Sequence, residues 1–443
     1  DFPTVHFDVR DYRAEMLREA RLQETQILAL ISMWSEEGLW LVAGTSSGAL
    51  VIWRIYLDGE SHDEDATTVC TQVGDRIDKP CDSFMREPIA ILETGTGAAI
   101  YELQTCADGS LLLCATDHGF VAYARKEIEA TMRNQKERAR GTQGGGARNG
   151  SSRRPWELRC PEPTLRFTLP QAAGPGVGAL CPIFECNGLA LDSVTNTVWL
   201  AGGDSRAYGV NLATMASLAP IEGHSGYLHA VAVAPLARQL FTGGEDGTVC
   251  IWDLRNSNKK IGDLRPPESA MDISGSTGVG GKGWISCLDV DDDGQWLAVG
   301  GGMGETPDAR RRKGAPVKTS SSGHMSLWHV PSQSMTSSAR TGAKIQKLAR
   351  YEGALLSMGN EPWVTHWNRS CLDMPKAKAA VSMPSVYAAT TMPSQALDRS
   401  PEVRLSPDES MDVDDGGNGG PEPDFKALPR KGGGGGGVLL LLR

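Results

Sequence analysis

Along most of the chain the apolar residues come in short runs broken by Gly, Asp and Ser, and the same arrangement recurs. Trp40-Leu41-Val42-Ala43-Gly44 leads to Gly48 and then to Ala49-Leu50-Val51-Ile52-Trp53. Leu240-Phe241-Thr242-Gly243-Gly244 leads to Gly247 and then to Thr248-Val249-Cys250-Ile251-Trp252. Trp296-Leu297-Ala298-Val299-Gly300 leads, after an insertion, to Gly323 and then to His324-Met325-Ser326-Leu327-Trp328. Each stretch is an apolar strand ending in small residues, a Gly turn, and a second strand closed by Trp five residues after that Gly. Two strands joined by a tight Gly turn predict a β-hairpin.

Weaker copies fill the intervals. Leu111-Leu112-Leu113-Cys114 precedes Asp117, Gly119 and Tyr123; Val198-Trp199-Leu200-Ala201-Gly202-Gly203 precedes Asp204 and Tyr208; Ala354-Leu355-Leu356-Ser357-Met358-Gly359 precedes Trp363 and Trp367. An upstream strand accompanies five of the six units, at 27–33, 100–103, 188–191, 229–233 and 285–290. Repeats of about 40–45 residues, each a small antiparallel sheet, predict a β-propeller. The expected fold is therefore all-β, with six readable blades and a degraded seventh, for which Ser385-Val386-Tyr387-Ala388-Ala389 supplies one strand.

Four regions depart from the repeat. Residues 1–26 carry Tyr12, Met16, Leu17 and Leu22 among Arg and Glu, which predicts a short N-terminal helix. The propeller then occupies 27–394, with insertions near 125–155 and 303–322. The first insertion begins helical, at 126–138, and turns Gly-rich; its nine Lys and Arg against three Glu predict a solubilising loop with at most weak attraction to RNA. From 395 to 443 the chain is acidic and Gly-rich, too poor in apolar residues to offset the entropy of ordering. Its last apolar residues, 438–442, are expected to be a flexible end or an artefact with no site.

Composition narrows the function classes. The 443 residues carry 44 Lys and Arg against 54 Asp and Glu, a net charge of -10, which disfavours a surface built to coat nucleic acid. No apolar run approaches the ~20 residues of a membrane-spanning helix. The start, Asp1-Phe2-Pro3, has neither Met nor a basic-then-apolar leader, and is expected to be a truncated beginning rather than a secretory one. The 10 Cys show no CxxC spacing, so neither zinc nor a redox dithiol is expected.

The fourth unit carries the most specific chemistry. Gly223-His224 opens it, and Gly244-Glu245-Asp246-Gly247 and Trp252-Asp253 close it, the Gly-His to Trp-Asp signature of WD repeats. His224, Thr242, Asp246 and Trp252 are expected to bond to one another inside a buried corner, where leaving any polar group unpaired carries a desolvation penalty. A catalytic His–Asp pair is the rival reading of the same residues. Asp253 and Arg255 belong to a WDxR box, of the kind found in substrate receptors of cullin-RING ubiquitin ligases, where a rim Arg pairs with a partner carboxylate. Arg310-Arg311-Arg312-Lys313, with Lys318, is a compact basic cluster suited to nuclear-import recognition, to RNA phosphates, or to nothing beyond solvation. Asp291-Asp292-Asp293-Gly294 lacks the calcium-loop ligand pattern and is expected to be a hairpin turn. No GxSxG, HExxH, Walker or dinucleotide motif is present, and no recurring inward set of Asp, Glu or His suggests an acid–base or metal centre. No cofactor is expected.

The run from Gly223 to His229, continuing through Gly243-Gly244-Glu245-Asp246-Gly247 and Trp252-Asp253-Leu254-Arg255, resembles the central repeat of the THO complex subunit 6 family. Leu200-Ala201-Gly202-Gly203-Asp204, Gly283-Trp284-Ile285-Ser286-Cys287-Leu288, Val299-Gly300-Gly301-Gly302 and Leu327-Trp328-His329-Val330 agree with it. The resemblance covers roughly residues 8 to 368 and is specific in 198–330; the two basic insertions and the degraded last blade depart from it. It implies a nuclear, non-catalytic scaffold that binds other subunits of the THO/TREX assembly in mRNA processing and export, with RNA contact weak or indirect and no membrane partner. The alternatives are a ubiquitin-ligase substrate receptor acting through Arg255, and a propeller hydrolase with ionisable groups converging on the central channel.

Overall fold

The computed structural model describes residues 26–55, 88–141, 157–170, 185–256, 258–266, 283–303, 323–351, 354–368, 371–380, 387–391 and 439–441. Within them, six antiparallel blades follow one another around an axis. Blade 1 is Ile27–Ser35, Gly38–Thr45, Ala49–Ile55 and Ala90–Glu93, extended by Glu157–Arg159, which pairs parallel to Ala90–Glu93. Blade 2 is Ile100–Thr105, Leu111–Thr116, Gly119–Ala124 and Leu165–Thr168. Blade 3 is Cys186–Asp192, Thr197–Gly202, Arg206–Asn211 and Ile221–Glu222. Blade 4 is Leu228–Ala234, Gln239–Gly244, Val249–Asp253 and Lys259–Leu264. Blade 5 is Trp284–Val290, Trp296–Gly302, Gly323–His329 and Ser334–Thr341. Blade 6 is Ile345–Tyr351, Ala354–Gly359, Glu361–Asn368 and Cys371–Ala380. The all-β propeller expected from the repeats is the fold.

The seventh place holds a two-stranded sheet, Ala389–Thr391 paired antiparallel with Leu439–Leu441. Ala389–Thr391 packs between the first strands of blades 6 and 1, Ile345–Tyr351 and Ile27–Ser35. Ala388 joins Leu30, Leu39, Leu41 and Ala43 in one buried cluster. Two expectations change here. The strand sought at 385–389 starts at Ala389, with 385–386 outside the described residues. The terminal leucines, expected as a loose end, provide its partner; a run of apolar residues satisfies a strand edge even when the composition around it is disordered in character.

Every blade shares a feature that no motif announces. The pairing of its first strand with its second breaks register near the strand's start, between Ile27 and Ala29, Ile100 and Glu102, Cys186 and Gly188, Leu228 and Ala230, Ile285 and Cys287, and Ile345 and Lys347. A bulge bends and further twists its strand, and here the same bend recurs in each strand that lines the axis. Between blades the cores are layers of interdigitated side chains: Trp40, Val42, Leu112 and Cys114 between blades 1 and 2, and Phe241, Ile251, Leu297 and Val299 between blades 4 and 5.

The first insertion is a helix, Arg125–Gly141. Its opening turns are not a solubilising loop. Ile128 and Met132, four residues apart and hence on one helix face, are buried in the blade 1–blade 2 core. Arg125 Nη1 donates to the Trp34 carbonyl at 2.9 Å, and Glu129 Oε1 accepts from the Glu36 N–H at 3.0 Å. The helix therefore straps the first hairpin. The Asp291–Gly294 run is the turn between the first two strands of blade 5, with Gly294 at φ +67° and its N–H bonded to the Asp291 carbonyl at 3.0 Å. The helix expected within 1–26, the cluster Arg310–Lys313 and most of the tail lie outside the described residues.

Candidate interaction surfaces and the central channel

The second strand of blade 4 presents Thr242, its third strand presents Trp252, and the turn between them, with Gly247 at φ +71°, presents Asp246. His224 arrives on the loop from blade 3. Its neighbour Gly223 has no Cβ, and one placed there would stand 2.8 Å from the Trp252 ring, so glycine lets the loop close over the indole. Trp252 Nε1–H donates to Thr242 Oγ1 at 2.8 Å. That hydroxyl is then free to donate to His224 Nε2 at 2.8 Å, while His224 Nδ1–H donates to Asp246 Oδ2 at 2.9 Å. Asp246 also accepts from the Ser225 N–H at 3.0 Å and from the Thr248 hydroxyl at 2.7 Å. Burial pushes the Asp246 carboxyl up, but the bonds from His224 and the two backbone and hydroxyl donors outweigh it and hold the group well below the usual carboxylate range.

The His224 side chain is 2% exposed and both ring nitrogens are occupied. Both ring nitrogens are engaged within the repeat, so this geometry ties its strands together. Blades 5 and 6 repeat part of it: Trp328 Nε1 donates to Ser326 Oγ and Trp367 Nε1 to Ser357 Oγ, each at 2.8 Å. Blade 3 substitutes Tyr208, whose hydroxyl donates to Asp204.

On the rim of blade 4, Arg255 turns back on its own repeat. Its Nε donates to Asp253 Oδ1 at 2.9 Å, its backbone N–H to the same oxygen at 3.0 Å, and Nη2 to Oδ2 at 3.4 Å. The Arg255 side chain is 63% exposed, so the ion pair as a whole is what a partner meets. Nearby, Arg238 Nη1 reaches Asp192 Oδ2 of blade 3 at 2.5 Å, a bridge between blades that the motif reading did not find. The turns that carry this bridge expose Val194 and Leu236, the latter by 72%.

The central channel has a volume of about 800 Å³. The sequence offered no recurring inward set of Asp, Glu or His that would make a metal or acid–base centre, and it gave no sign of the ionisable groups that line the channel. Glu102, Asp289, Lys347 and Arg350 all line the channel. They stand in pairs: Lys347 Nζ lies 2.8 and 3.0 Å from the two Glu102 oxygens, and Arg350 contacts both Asp289 oxygens at 2.7 and 3.2 Å. Burial pulls the Lys347 ammonium down, but Glu102 outweighs it and keeps Lys347 above the ordinary lysine range. A protonated, carboxylate-bound lysine is no nucleophile. His229 lies 3.4 Å from Glu245, and burial lowers it against that carboxylate's pull. The Ser286 hydroxyl donates to the Ile345 carbonyl and is not activated by a base. Among the described residues no group of three His, Cys, Asp or Glu is placed to hold a metal ion, and no helix there is long and apolar enough to cross a membrane.

With this geometry in hand, similarity to known proteins can be placed on it. The model of the WD domain, G-beta repeat matches residues 215–253 and 275–304, which include the first three strands of blade 4 and the first two of blade 5. THO complex subunit 6 homolog of Mus musculus is 30% identical over 188 residues, 42% of this chain and 47% of that protein. THO complex subunit 6 of Arabidopsis thaliana is 28% identical over 201 residues, 45% of this chain and 46% of that protein. THO complex subunit 6 of Homo sapiens is 29% identical over 188 residues, 42% of this chain and 47% of that protein. The chain spans about half the length of the curated relatives it matches.

Proposed function

We propose that this WD-repeat protein, similar to THO complex subunit 6, is a non-catalytic adaptor that holds other subunits of a THO/TREX-type assembly in nuclear mRNA processing and export. The observation that carries the reading is the combination of that similarity, found in animals and a plant, with a hub whose charges are already paired. A rigid disc with loops at both ends offers several docking patches at little ordering cost. In this reading RNA contact is weak or indirect, since the chain is net -10, and Arg310, Arg311, Arg312 and Lys313 serve import.

Affinity purification of the tagged full chain from nuclear extract, followed by mass spectrometry, tests the assignment. Recovery of THO subunits in stoichiometric amounts is expected. Recovery of a cullin-RING adaptor without THO subunits would replace the reading with that of a ligase substrate receptor acting through Asp253 and Arg255. Replacing the four residues of the basic cluster by Ala is expected to shift a fluorescent fusion towards the cytoplasm.

A further inference from the structure

Blade 6 has the frame of the blade 4 corner without its histidine. The two blades align along their first two strands and the body of the third, and differ at the turn between the second and third. Leu228 pairs with Gly244 in blade 4 and Ile345 with Gly359 in blade 6. The Glu245 N–H bonds to the Tyr227 carbonyl at 2.8 Å, and the Asn360 N–H bonds to the Lys344 carbonyl at 3.1 Å. A Cβ on Gly244 would stand 2.2 Å from the Tyr227 carbonyl oxygen, and one on Gly359 would stand 1.8 Å from that of Lys344. Ser357 thus occupies the place of Thr242 and Trp367 that of Trp252, while Glu361 lies six residues before Trp367 as Asp246 lies six before Trp252, but at the start of a strand whose pairing with Gly359 breaks register rather than in an open turn. The Trp-to-hydroxyl bond is the same, 2.8 Å in both. The entering loop differs: Gly223-His224-Ser225-Gly226-Tyr227 becomes Gly342-Ala343-Lys344, two residues shorter, with Ala343 where His224 stands.

The missing ring leaves a space. A cavity of about 130 Å³ is lined by Ala343, Ser357, Glu361 and Trp367, the four counterparts of the blade 4 tetrad. A water's share of liquid volume is about 30 Å³, so the cavity has room for an imidazole. Its polar groups are also left as blade 4 would leave them. Ser357 Oγ already accepts from Trp367 and has its own proton to give. The Glu361 carboxylate lies over Gly342, 2.4 Å from where a Cβ would stand, and offers acceptors.

We propose that this blade 6 cavity is a receptor slot for an imidazole delivered in trans, the side chain of a histidine on a partner segment that crosses the loop between blades 5 and 6. The ring would accept from Ser357 through one nitrogen and donate to Glu361 through the other, completing the corner that His224 completes within the chain. Lys344 Nζ is drawn over the Trp284 ring, 4.8 Å from its centroid, while Arg340 and Lys378 line the cavity. They oppose a guanidinium or ammonium, which is always charged, and tolerate a neutral imidazole. The site is independent of the assembly proposed above.

The test is binding of free imidazole to the full-length protein by ligand-observed NMR at pH 8, with acetate and guanidinium as comparison probes. Imidazole is expected to bind in the millimolar range and both comparison probes more weakly. Ser357→Ala and Glu361→Gln are each expected to weaken imidazole at least tenfold. Ala343→His, which supplies the ring from within, is expected to abolish imidazole binding and raise the unfolding midpoint. Imidazole binding unchanged in Ser357→Ala and Glu361→Gln would overturn the proposal, whether or not Ala343→His folds. Acetate binding more tightly than imidazole would overturn it in favour of an anion site built on Arg340 and Lys378.

Discussion

Glu102 and Lys347, 245 positions apart in the chain, meet across the central channel with Lys347 Nζ 2.8 Å from Glu102 Oε1. Glu102 belongs to the first strand of blade 2 and Lys347 to that of blade 6, so the bond spans the arc that contains blade 1 and the reduced seventh place. Ring closure here rests on a two-stranded sheet, and the ion pair ties the flanking blades together over it. Each side chain is 29% exposed, so water screens the pair only in part. Lys347→Met is expected to cost roughly 1–3 kcal/mol, because it leaves a half-buried carboxylate without its partner. Adding Glu102→Gln should recover part of that loss. Urea unfolding of the two single variants and the double variant measures the coupling; strictly additive effects would mean that the contact does not brace the ring.

The corner of blade 4 predicts a larger effect from a smaller change. Thr242→Val keeps the shape but removes the hydroxyl that accepts from Trp252 and donates to His224. Two buried nitrogens lose their partners, at about 1–3 kcal/mol each. A total loss of ~2–6 kcal/mol is expected from the urea midpoint at pH 7. Ser326→Ala, which strands Trp328 Nε1 alone, should cost less. Equal losses from both would show that the histidine link carries no weight.

The corner could be read from sequence because its residues lie at fixed distances from Gly turns, and the repeat multiplies the signal. The channel could not. The first strand of blade 6, Ile345–Tyr351, escaped the apolar pattern because one side of it faces water; its Gln346, Lys347 and Arg350 all line the channel. Lys347 and Arg350, three residues apart and so on opposite faces of the strand, carry the bridges to blade 2 and blade 5, and because those partners come from other blades, spacing along the chain holds no trace of them. Ile128 and Met132 were masked differently: two apolar residues four apart disappear among the charges of Arg125–Gly141 unless the helix is seen against blade 1. The vacated slot in blade 6 became visible only once Ala343, Ser357, Glu361 and Trp367 could be matched to blade 4 by register.

Arg255 separates two readings of the rim. Its guanidinium is spent on Asp253, and the pair lies at the surface. Arg255→Ala is therefore expected to leave the unfolding midpoint unchanged. If the protein is a THO-type adaptor, co-purification of THO subunits should be unaffected as well. Loss of a cullin-RING adaptor from the variant's purification, with THO subunits retained, would assign the WDxR box a docking role.

His324 predicts a pH dependence with a definite sign. The ring is fully buried in the third strand of blade 5. Nε2 donates to the Trp284 carbonyl at 3.2 Å, and Nδ1 has no partner. A second proton would have to sit on that unpartnered nitrogen. Burial lowers the group from 6.5 to about 4, against the opposing pull of the Trp284 carbonyl. Above pH 6.5 the ring is neutral in both states, and its contribution to stability is complete. As pH falls from 6.5 towards 4, the unfolded chain takes up a proton that the folded chain refuses, and stability drops; below about 4 this group adds no further change. The drop over that window should be about 3 kcal/mol. The lowered His229 titrates too, so the measurement is the difference between parent and His324→Gln, which keeps a donor for Trp284. Urea unfolding at about pH 7.5, 6.5, 5.5 and 4.5 should give a shallower slope for the variant. Parallel slopes would mean that the buried ring already finds a way to hold its second proton.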